Sequence, residues 1–172
     1  MLGVKRGTVV LVPHNPEWPP LFDKEKKLLL EAFGDRIKAI EHIGSTAIPG
    51  MPAKPIIDIN VAVKSLDDIG DFIQILPGLG YEYIPERRFA DRQFFPKGPP
   101  EYRTHHLNLV EITSKTGWMN ALAFRNYLRK NSLAREEYRK LKESLADQYA
   151  DNREEYTERK SAFVHEILKK AQ

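Results

Sequence analysis

Residues 42–63 read HIGSTAIPGMPAKPIIDINVAV and combine a small-residue turn with the pattern of a buried strand. Gly44 can adopt a positive φ angle, which lets backbone N–H groups approach an anion closely. Ser45 and Thr46 add hydroxyl donors, and Lys54 adds a positive charge. The turn therefore has the composition of a phosphate-binding loop.

Two polar residues, Asp58 and Asn60, interrupt the apolar and β-branched run 56–63. Alternation along a strand puts both on one face and the intervening apolar side chains on the other. A turn with N–H and hydroxyl donors, followed by oxygen ligands at positions i and i+2 of a strand, can hold a triphosphate and a divalent cation. A cap or one half of a structural ion pair would account for Asp58 equally well, so the pattern alone leaves both interpretations open.

The run from Glu41 to Val63 closely resembles the hallmark of the GrpB family of bacterial proteins, E-H-[IV]-G-S-T-[AS]-x-P-G-x-x-A-K-P-I-I-D-I. The resemblance covers nearly the whole chain. Its other matching positions are Trp18, Phe22, Arg88, Phe89, residues 103–107, Trp118, residues 124–129, Glu137, Tyr138, Leu141, Lys142, Tyr156 and Lys160. It implies a nucleotidyltransferase-like fold and, because the family also occurs fused to dephospho-coenzyme A kinase, a functional link to coenzyme A biosynthesis.

The resemblance also implies candidate site residues outside the turn. Arg88, Arg125 and Lys160 become candidate phosphate-binding residues, each with the alternative of an ordinary surface charge. Adjacent strand residues point in opposite directions, so at most one of His105 and His106 faces the site, and the resemblance favours His106.

A position of His106 beside Asp58 on a neighbouring strand would make these two the candidate catalytic residues. The candidate metal ligands are Asp58, Asn60 and His106, and the alternative for His106 is a hydrogen-bonded structural role. His42, directly before the turn, is expected to brace the loop by a hydrogen bond.

Two functions of different classes remain open. Two-metal nucleotidyl transfer normally uses three acids, whereas this strand has Asn60 where the second acid is expected. The first function is a magnesium-dependent nucleotidyltransferase that moves a nucleoside monophosphate from NTP to a small-molecule or protein acceptor. The second is a binding module for a nucleotide or a coenzyme-A-type ligand. A nuclease or phosphohydrolase with one metal at Asp58 and His106 is a third, weaker alternative.

Composition limits the class of protein further. The 172 residues, 41% of them hydrophobic, predict one domain over residues 1–172, with a sheet-bearing core (1–112) and a helical half (118–171). The absence of cysteine leaves oxygen and nitrogen ligands for a metal, which favours Mg²⁺.

The 27 basic and 24 acidic residues are interleaved, so the charge pattern does not indicate a nucleic-acid-binding protein. The expected partner is a phosphate-bearing small molecule, a nucleotide or a related compound. No apolar run approaches the ~18 residues of a membrane span, and residues 1–7 lack the apolar region of a signal peptide. We therefore expect a cytoplasmic protein, with a homo-oligomer left open.

The fold class predicted from these patterns is α+β, with a mixed sheet that carries the site, flanking helices and a helical C-terminal half. The predicted strands are 8–12, 37–43, 56–63, 81–85, 92–95 and 103–112. The predicted helices are 19–33, one that starts at a Ser65 and Asp68 capping box and ends before Gly78, 118–129, 133–149, and 153–171 capped by Asn152.

Overall fold

The structure is a computed structural model and describes residues 2–5 and 8–171. In that part of the chain, the strands are β1 (Val4–Lys5), β2 (Ala39–Ile43), β3 (Ile57–Val63), β4 (Arg92–Lys97), β5 (Tyr102–Arg103) and β6 (His105–Glu111). The α-helices are α1 (Trp18–Phe33), α2 (Gly70–Ile75), α3 (Asn120–Lys130), α4 (Ser132–Gln148), α5 (Arg153–Arg159) and α6 (Ser161–Lys170).

A four-stranded sheet forms the centre of the molecule, in the spatial order β2, β3, β6, β4. β3 and β6 are parallel, and the other neighbours are antiparallel, so the sheet is mixed as predicted. The parallel register puts Asp58 beside His106 and Asn60 beside Asn108. β1 and β5 form a separate two-stranded ribbon.

One face of the sheet carries the main hydrophobic core. Ile57, Ile59 and Val61 of β3 enter it and are at most 1% exposed. Burial of each such side chain contributes about 1.5–3 kcal/mol to the stability of the fold. Asp58 and Asn60 lie on the opposite face, so the alternation predicted for this strand is confirmed. The face is covered by Trp18, Phe22, Leu29 and Phe33 of α1 and Phe72 of α2.

The C-terminal helices pack against the segment that follows the Gly-Ser turn. Ile48 and Met51 are fully buried in a second cluster with Leu128 of α3, Tyr138 of α4 and Ile167 of α6. The turn therefore lies where the sheet and the helical part of the chain meet. The α+β class with a mixed sheet and a helical C-terminal half is confirmed, whereas the single-domain assignment stays a prediction.

Two of the predicted strands are wrong. Within residues 8–12, only Val12 makes a strand-like pair, with Ala53. The N–H of Val9 donates instead to the Ala150 carbonyl, so the segment does not continue as a strand. Residues 81–85 also contribute a single bridge, from Tyr81 to Lys97, since a 3₁₀ turn starts at residue 85.

The helices differ from the prediction in two places. The Ser65 hydroxyl accepts a hydrogen bond from the Asp67 N–H, and the capping box does not form, so α2 begins only at Gly70. The helix predicted over 153–171 is two helices, α5 and α6, which meet at Lys160. The Asn152 cap is confirmed, because its side chain accepts the Glu155 N–H at 3.1 Å. In the part of the chain described, no helix has the length and apolar character needed to cross a membrane.

Candidate functional site

The turn closes directly onto the carboxylate of β3. Gly44 has φ +70° and ψ −171°, a backbone region that is essentially restricted to glycine. A Cβ at this position would lie 2.5 Å from Asp58 Oδ2. Glycine is therefore required both by the backbone angles and by the close approach of Asp58.

The Thr46 hydroxyl points into the protein and not toward a ligand. Thr46 is 1% exposed and donates to the Ile56 carbonyl at 3.3 Å, while His42 Nε2 donates to Thr46 Oγ1 at 2.9 Å. Burial lowers the pKa of His42 to about 4, so the ring is neutral at pH 7. The hydrogen bond by which His42 was expected to brace the loop is thus present. The Thr46 hydroxyl is not free to bind a phosphate, because it is bonded to the Ile56 carbonyl just before β3. Ser45 remains partly exposed, with its side chain facing Tyr138.

Asp58 and His106 form a pair across the parallel strands. His106 Nδ1 donates to Asp58 Oδ1 at 3.1 Å, and the Asp58 side chain is 34% exposed. Burial raises the pKa of Asp58, but the hydrogen bond from His106 and the charge of Lys54 outweigh it and hold the pKa below its usual value. The site therefore contains an ionised carboxylate with an open side.

Three buried or half-buried lysines, Lys54, Lys142 and Lys160, are influenced electrostatically by Asp58, and we call them the lysine trio. Lys142 is 2% exposed, and its ammonium donates to the Pro52 carbonyl. Burial and then the charges of Lys160 and Lys54 lower the pKa of Lys142 to about 7. Burial, followed by the charge of Arg153, lowers the pKa of Lys54 to about 8. Burial, followed by the charge of Lys54, lowers the pKa of Lys160 to about 8. In all three, Asp58 acts in the opposite direction.

Two tyrosines separate the ammonium groups of the lysine trio. The Tyr156 ring centre lies 4.3 Å from Lys160 Nζ and 5.3 Å from Lys54 Nζ, and the Tyr138 ring centre lies 5.3 Å from Lys142 Nζ. Contacts of this kind stabilise a cation by about 0.5–2 kcal/mol, which offsets only part of the cost of burying it.

Lys142 was not among the residues that the sequence assigned to the site. The buried residues of α4 are Ala134, Tyr138, Lys142 and Leu145, at the spacing of one helix face. A lysine on an otherwise buried face needs a compensating partner. This periodicity was the signal that could have identified it.

The two arginines predicted to bind phosphate are engaged elsewhere. Arg125 is 7% exposed and donates to the His42 carbonyl and to Glu41 Oε2, each at 2.6 Å, so it ties α3 to β2. Arg88 donates to the carbonyl of Leu66, beyond the C-terminal end of β3. Asp58 lies at the start of that strand, so the structure does not bring Arg88 to the turn.

The predicted magnesium ligands do not form an oxygen-rich site. Asn60 is 1% exposed, its amide donates to the Gly117 carbonyl at 2.8 Å, and its oxygen accepts from Asn108 at 3.2 Å. Residues 2–5 and 8–171 contain no group of three or more His, Cys, Asp or Glu placed to hold a metal ion. The set Asp58, Asn60 and His106 therefore does not fit a magnesium site built by the protein, since Mg²⁺ needs several free oxygen ligands.

A small pocket adjoins this site. It has a volume of about 20 Å³, and Lys54 and His106 line it. A groove of about 800 Å³ lies elsewhere, between residues 9–14 and α4, and the residues that line it do not include Asp58 or the lysine trio. Two of the site residues, Lys54 and His106, thus line the small pocket, and none of the site residues lines the large groove.

A small-residue turn, a strand carboxylate and a buried lysine trio define an α+β protein with an anion-attracting site, and the chain belongs to the GrpB family, whose model (GrpB protein) matches residues 8–170. It is 42% identical to the glutamate-rich protein GrpB of Alkalihalophilus pseudofirmus over 98% of both chains. It is 31% identical to a dephospho-CoA kinase of Mycolicibacterium paratuberculosis, over 86% of this chain and 42% of that protein.

The crystal structure of the conserved protein GrpB from Enterococcus faecalis has a similar fold. The TM-score is 0.86 at 34% sequence identity, with 94% of this chain and 96% of that chain covered. Membership of the nucleotidyltransferase superfamily stays a prediction.

Proposed function

We propose that this protein binds a phosphate-bearing small molecule, a nucleotide or a coenzyme-A-type compound, at the turn and the lysine trio. The observation that carries the proposal is the local charge imbalance. An ammonium group removed from water costs several kcal/mol unless an opposite charge compensates it. Asp58 is the one carboxylate that influences the pKa of all three ammonium groups among the described residues, and it is itself paired with His106. A bound phosphate supplies the missing negative charge.

The geometry also provides neutral donors for such an anion. Gly44 presents backbone with no side chain, and Ser45 next to it is partly exposed. Lys54 approaches from the loop that precedes β3, and Lys160 approaches from the break between α5 and α6. The turn, the loop before β3 and the break between α5 and α6 thus supply backbone, hydroxyl and ammonium donors for one anion.

The choice of ligand class has support from the relatives. A protein named dephospho-CoA kinase carries a region similar to this chain within 42% of its length. We include coenzyme A and its precursors among the candidate ligands on that basis.

A thermal-shift series tests the proposal. ATP, coenzyme A, dephospho-coenzyme A and inorganic phosphate are added with and without Mg²⁺. A ligand at 100 times its Kd adds about 2.7 kcal/mol to the stability. For a domain of this size, that corresponds to a rise of roughly 5–10 °C in Tm.

Variants locate the binding site in the same assay. Lys54→Ala, Lys160→Ala and Ser45→Ala should reduce the rise in Tm. Lys140→Ala is the matched control, because this α4 lysine is 71% exposed and pairs only with Glu136 among the described residues. An unchanged Tm with every phosphate compound at millimolar concentration would refute the proposal.

Nucleotidyl transfer is the second candidate, favoured by the hydrogen bond between His106 Nδ1 and the ionised Asp58. The bond leaves Nε2 able to accept a proton. In this reaction, an acceptor hydroxyl would bond to the α-phosphorus of NTP, the bond to pyrophosphate would break, and the hydroxyl proton would pass to His106. Magnesium would be carried by the NTP phosphates, with Asp58 as its protein contact.

Release of pyrophosphate from labelled NTP, with a panel of hydroxylated acceptors, separates the two candidates. For a transferase, His106→Gln and Asp58→Asn should each lower turnover by about 10²–10⁴. The His106→Gln variant should still show the ATP-induced rise in Tm. Absence of pyrophosphate release from the wild type with every acceptor would refute transfer and leave binding as the function.

A further inference from the structure

The small pocket next to His106 is surrounded by basic residues from four separate elements. Its lining includes Lys5 of β1, Lys54, Arg103 of β5, His106 of β6 and Arg153 of α5. β1 pairs with β5, with Val4 opposite Arg103 and Lys5 opposite Tyr102, so this two-stranded ribbon forms one wall of the pocket. No carboxylate is among the described residues that line the pocket.

Only part of this positive charge is compensated. Arg103 donates to Glu82 and to the Gly98 carbonyl, which fixes its guanidinium. In the described chain, no ion pair within 4 Å engages Lys5, Lys54 or Arg153. Arg153 acts electrostatically on both Lys54 and Lys160, so it lies close to the lysine trio. A second anionic group next to the trio would satisfy these charges.

The size of the pocket restricts what can enter it. A volume of about 20 Å³ accommodates one water-sized group. A nucleobase or a ribose ring is far larger, whereas a single phosphoryl oxygen is of this size, so the rest of the phosphoryl group would lie at the mouth of the pocket. Lys54 connects the two regions, because its ammonium is influenced both by Asp58 at the turn and by Arg153 at the pocket.

We infer that Arg153, together with Lys5 at the rim, forms a second anion subsite beside Lys54 and His106, so that the ligand carries two or more linked phosphate groups. This inference rests on the proposed binding function and specifies its ligand class. One phosphate lies at the turn and the lysine trio, and the next extends toward Arg153. A compound with a single phosphate fills only the first position.

Isothermal calorimetry in EDTA at constant ionic strength tests the inference with phosphate, pyrophosphate and tripolyphosphate. Pyrophosphate should bind at least tenfold more tightly than phosphate. Arg153→Ala should weaken pyrophosphate binding about tenfold and change phosphate binding less than twofold, and Arg153→Lys should restore most of the loss. Arg159→Ala is the matched control, because Arg159 is on the same helix but pairs with Glu155 and lies over Tyr149.

ATP and coenzyme A serve as further arms that identify the source of the phosphates. If tripolyphosphate binds with the same affinity as ATP, the protein recognises the phosphate chain alone. If ATP or coenzyme A binds more tightly, the protein also recognises the nucleoside part of the ligand. Equal binding of phosphate and pyrophosphate would overturn the subsite and leave the proposed function intact. Equal losses in Arg153→Ala and Arg159→Ala would also overturn it, and binding of no anion at all would overturn both.

Discussion

Replacement of Gly44 by alanine measures how tightly the turn and Asp58 are coupled. The backbone angles of Gly44 are in a region where a side chain costs about 1–3 kcal/mol. The new Cβ would also lie 2.5 Å from Asp58 Oδ2 and 3.2 Å from Asp58 Cβ and Cγ, so the carboxylate must move. Movement breaks its hydrogen bond with His106, a charge-assisted bond of about 1.5–3 kcal/mol. We therefore expect Gly44→Ala to lower the free energy of unfolding by about 2.5–6 kcal/mol.

Urea unfolding measures this loss, and Gly50→Ala provides the control. Gly50 also has a positive φ, +76°, but a Cβ there would meet no atom within 4 Å. Gly50→Ala should thus show the backbone cost alone. In an Asp58→Ala background, Gly44→Ala should cost less than in the wild type, because the contacts with the carboxylate are removed and only the 3.2 Å contact with the Cβ of residue 58 remains. A Gly44→Ala variant no less stable than Gly50→Ala in the wild-type background would refute the reasoning.

Three further predictions concern buried polar groups. Anion affinity should fall as pH rises from about 7 to 9, because the lysine trio, with pKa values of about 7 to 8, loses its protons, and calorimetry across this range measures the change. Lys142→Met should stabilise the unliganded protein by about 1–3 kcal/mol and weaken anion binding, since it removes a buried charge. The wild type should also gain stability from pH 7 to 10, because the unfolded state binds more protons there, and Lys142→Met should reduce this gain in urea unfolding. Asn60→Asp should destabilise the fold by about 1–3 kcal/mol, because a carboxylate cannot donate to the Gly117 carbonyl, and a chemical-denaturation midpoint unchanged from the wild type would contradict this.

The periodicity of the sequence predicted which side chains of β3 enter the core and which lie on the opposite face. The alternation of Asp58 and Asn60 with isoleucines predicted that both lie on one strand face. The position of His106 beside Asp58 was only one of two alternatives, because local pattern does not determine which strands pair. The break at Lys160 was not predictable in this way, because residues 153–171 contain no glycine or proline. Residues 8–12 have strand composition, but a strand needs a partner backbone, and Val12 alone finds one.

The candidate site was less predictable, because charge compensation depends on tertiary neighbours. Arg125 has the residue type of a phosphate ligand, yet Glu41 and the His42 carbonyl, far away in the chain, already bind its guanidinium. Conversely, Lys142 looked like an ordinary helix lysine until its neighbours Tyr138 and Leu145 were found to be buried. Residue type indicates what a side chain can bind, and only the fold determines whether it is free to do so.

The burial of Ile48 and Met51 among helices α3, α4 and α6 makes the turn part of a cooperative unit that spans the chain. Amide hydrogens of the turn should exchange with solvent through the same opening event as those of α6, although more than a hundred residues separate them in sequence. Excision of the sheet alone would remove the surface on which the turn is held. Transfer of the turn to another protein therefore requires the helices together with the sheet.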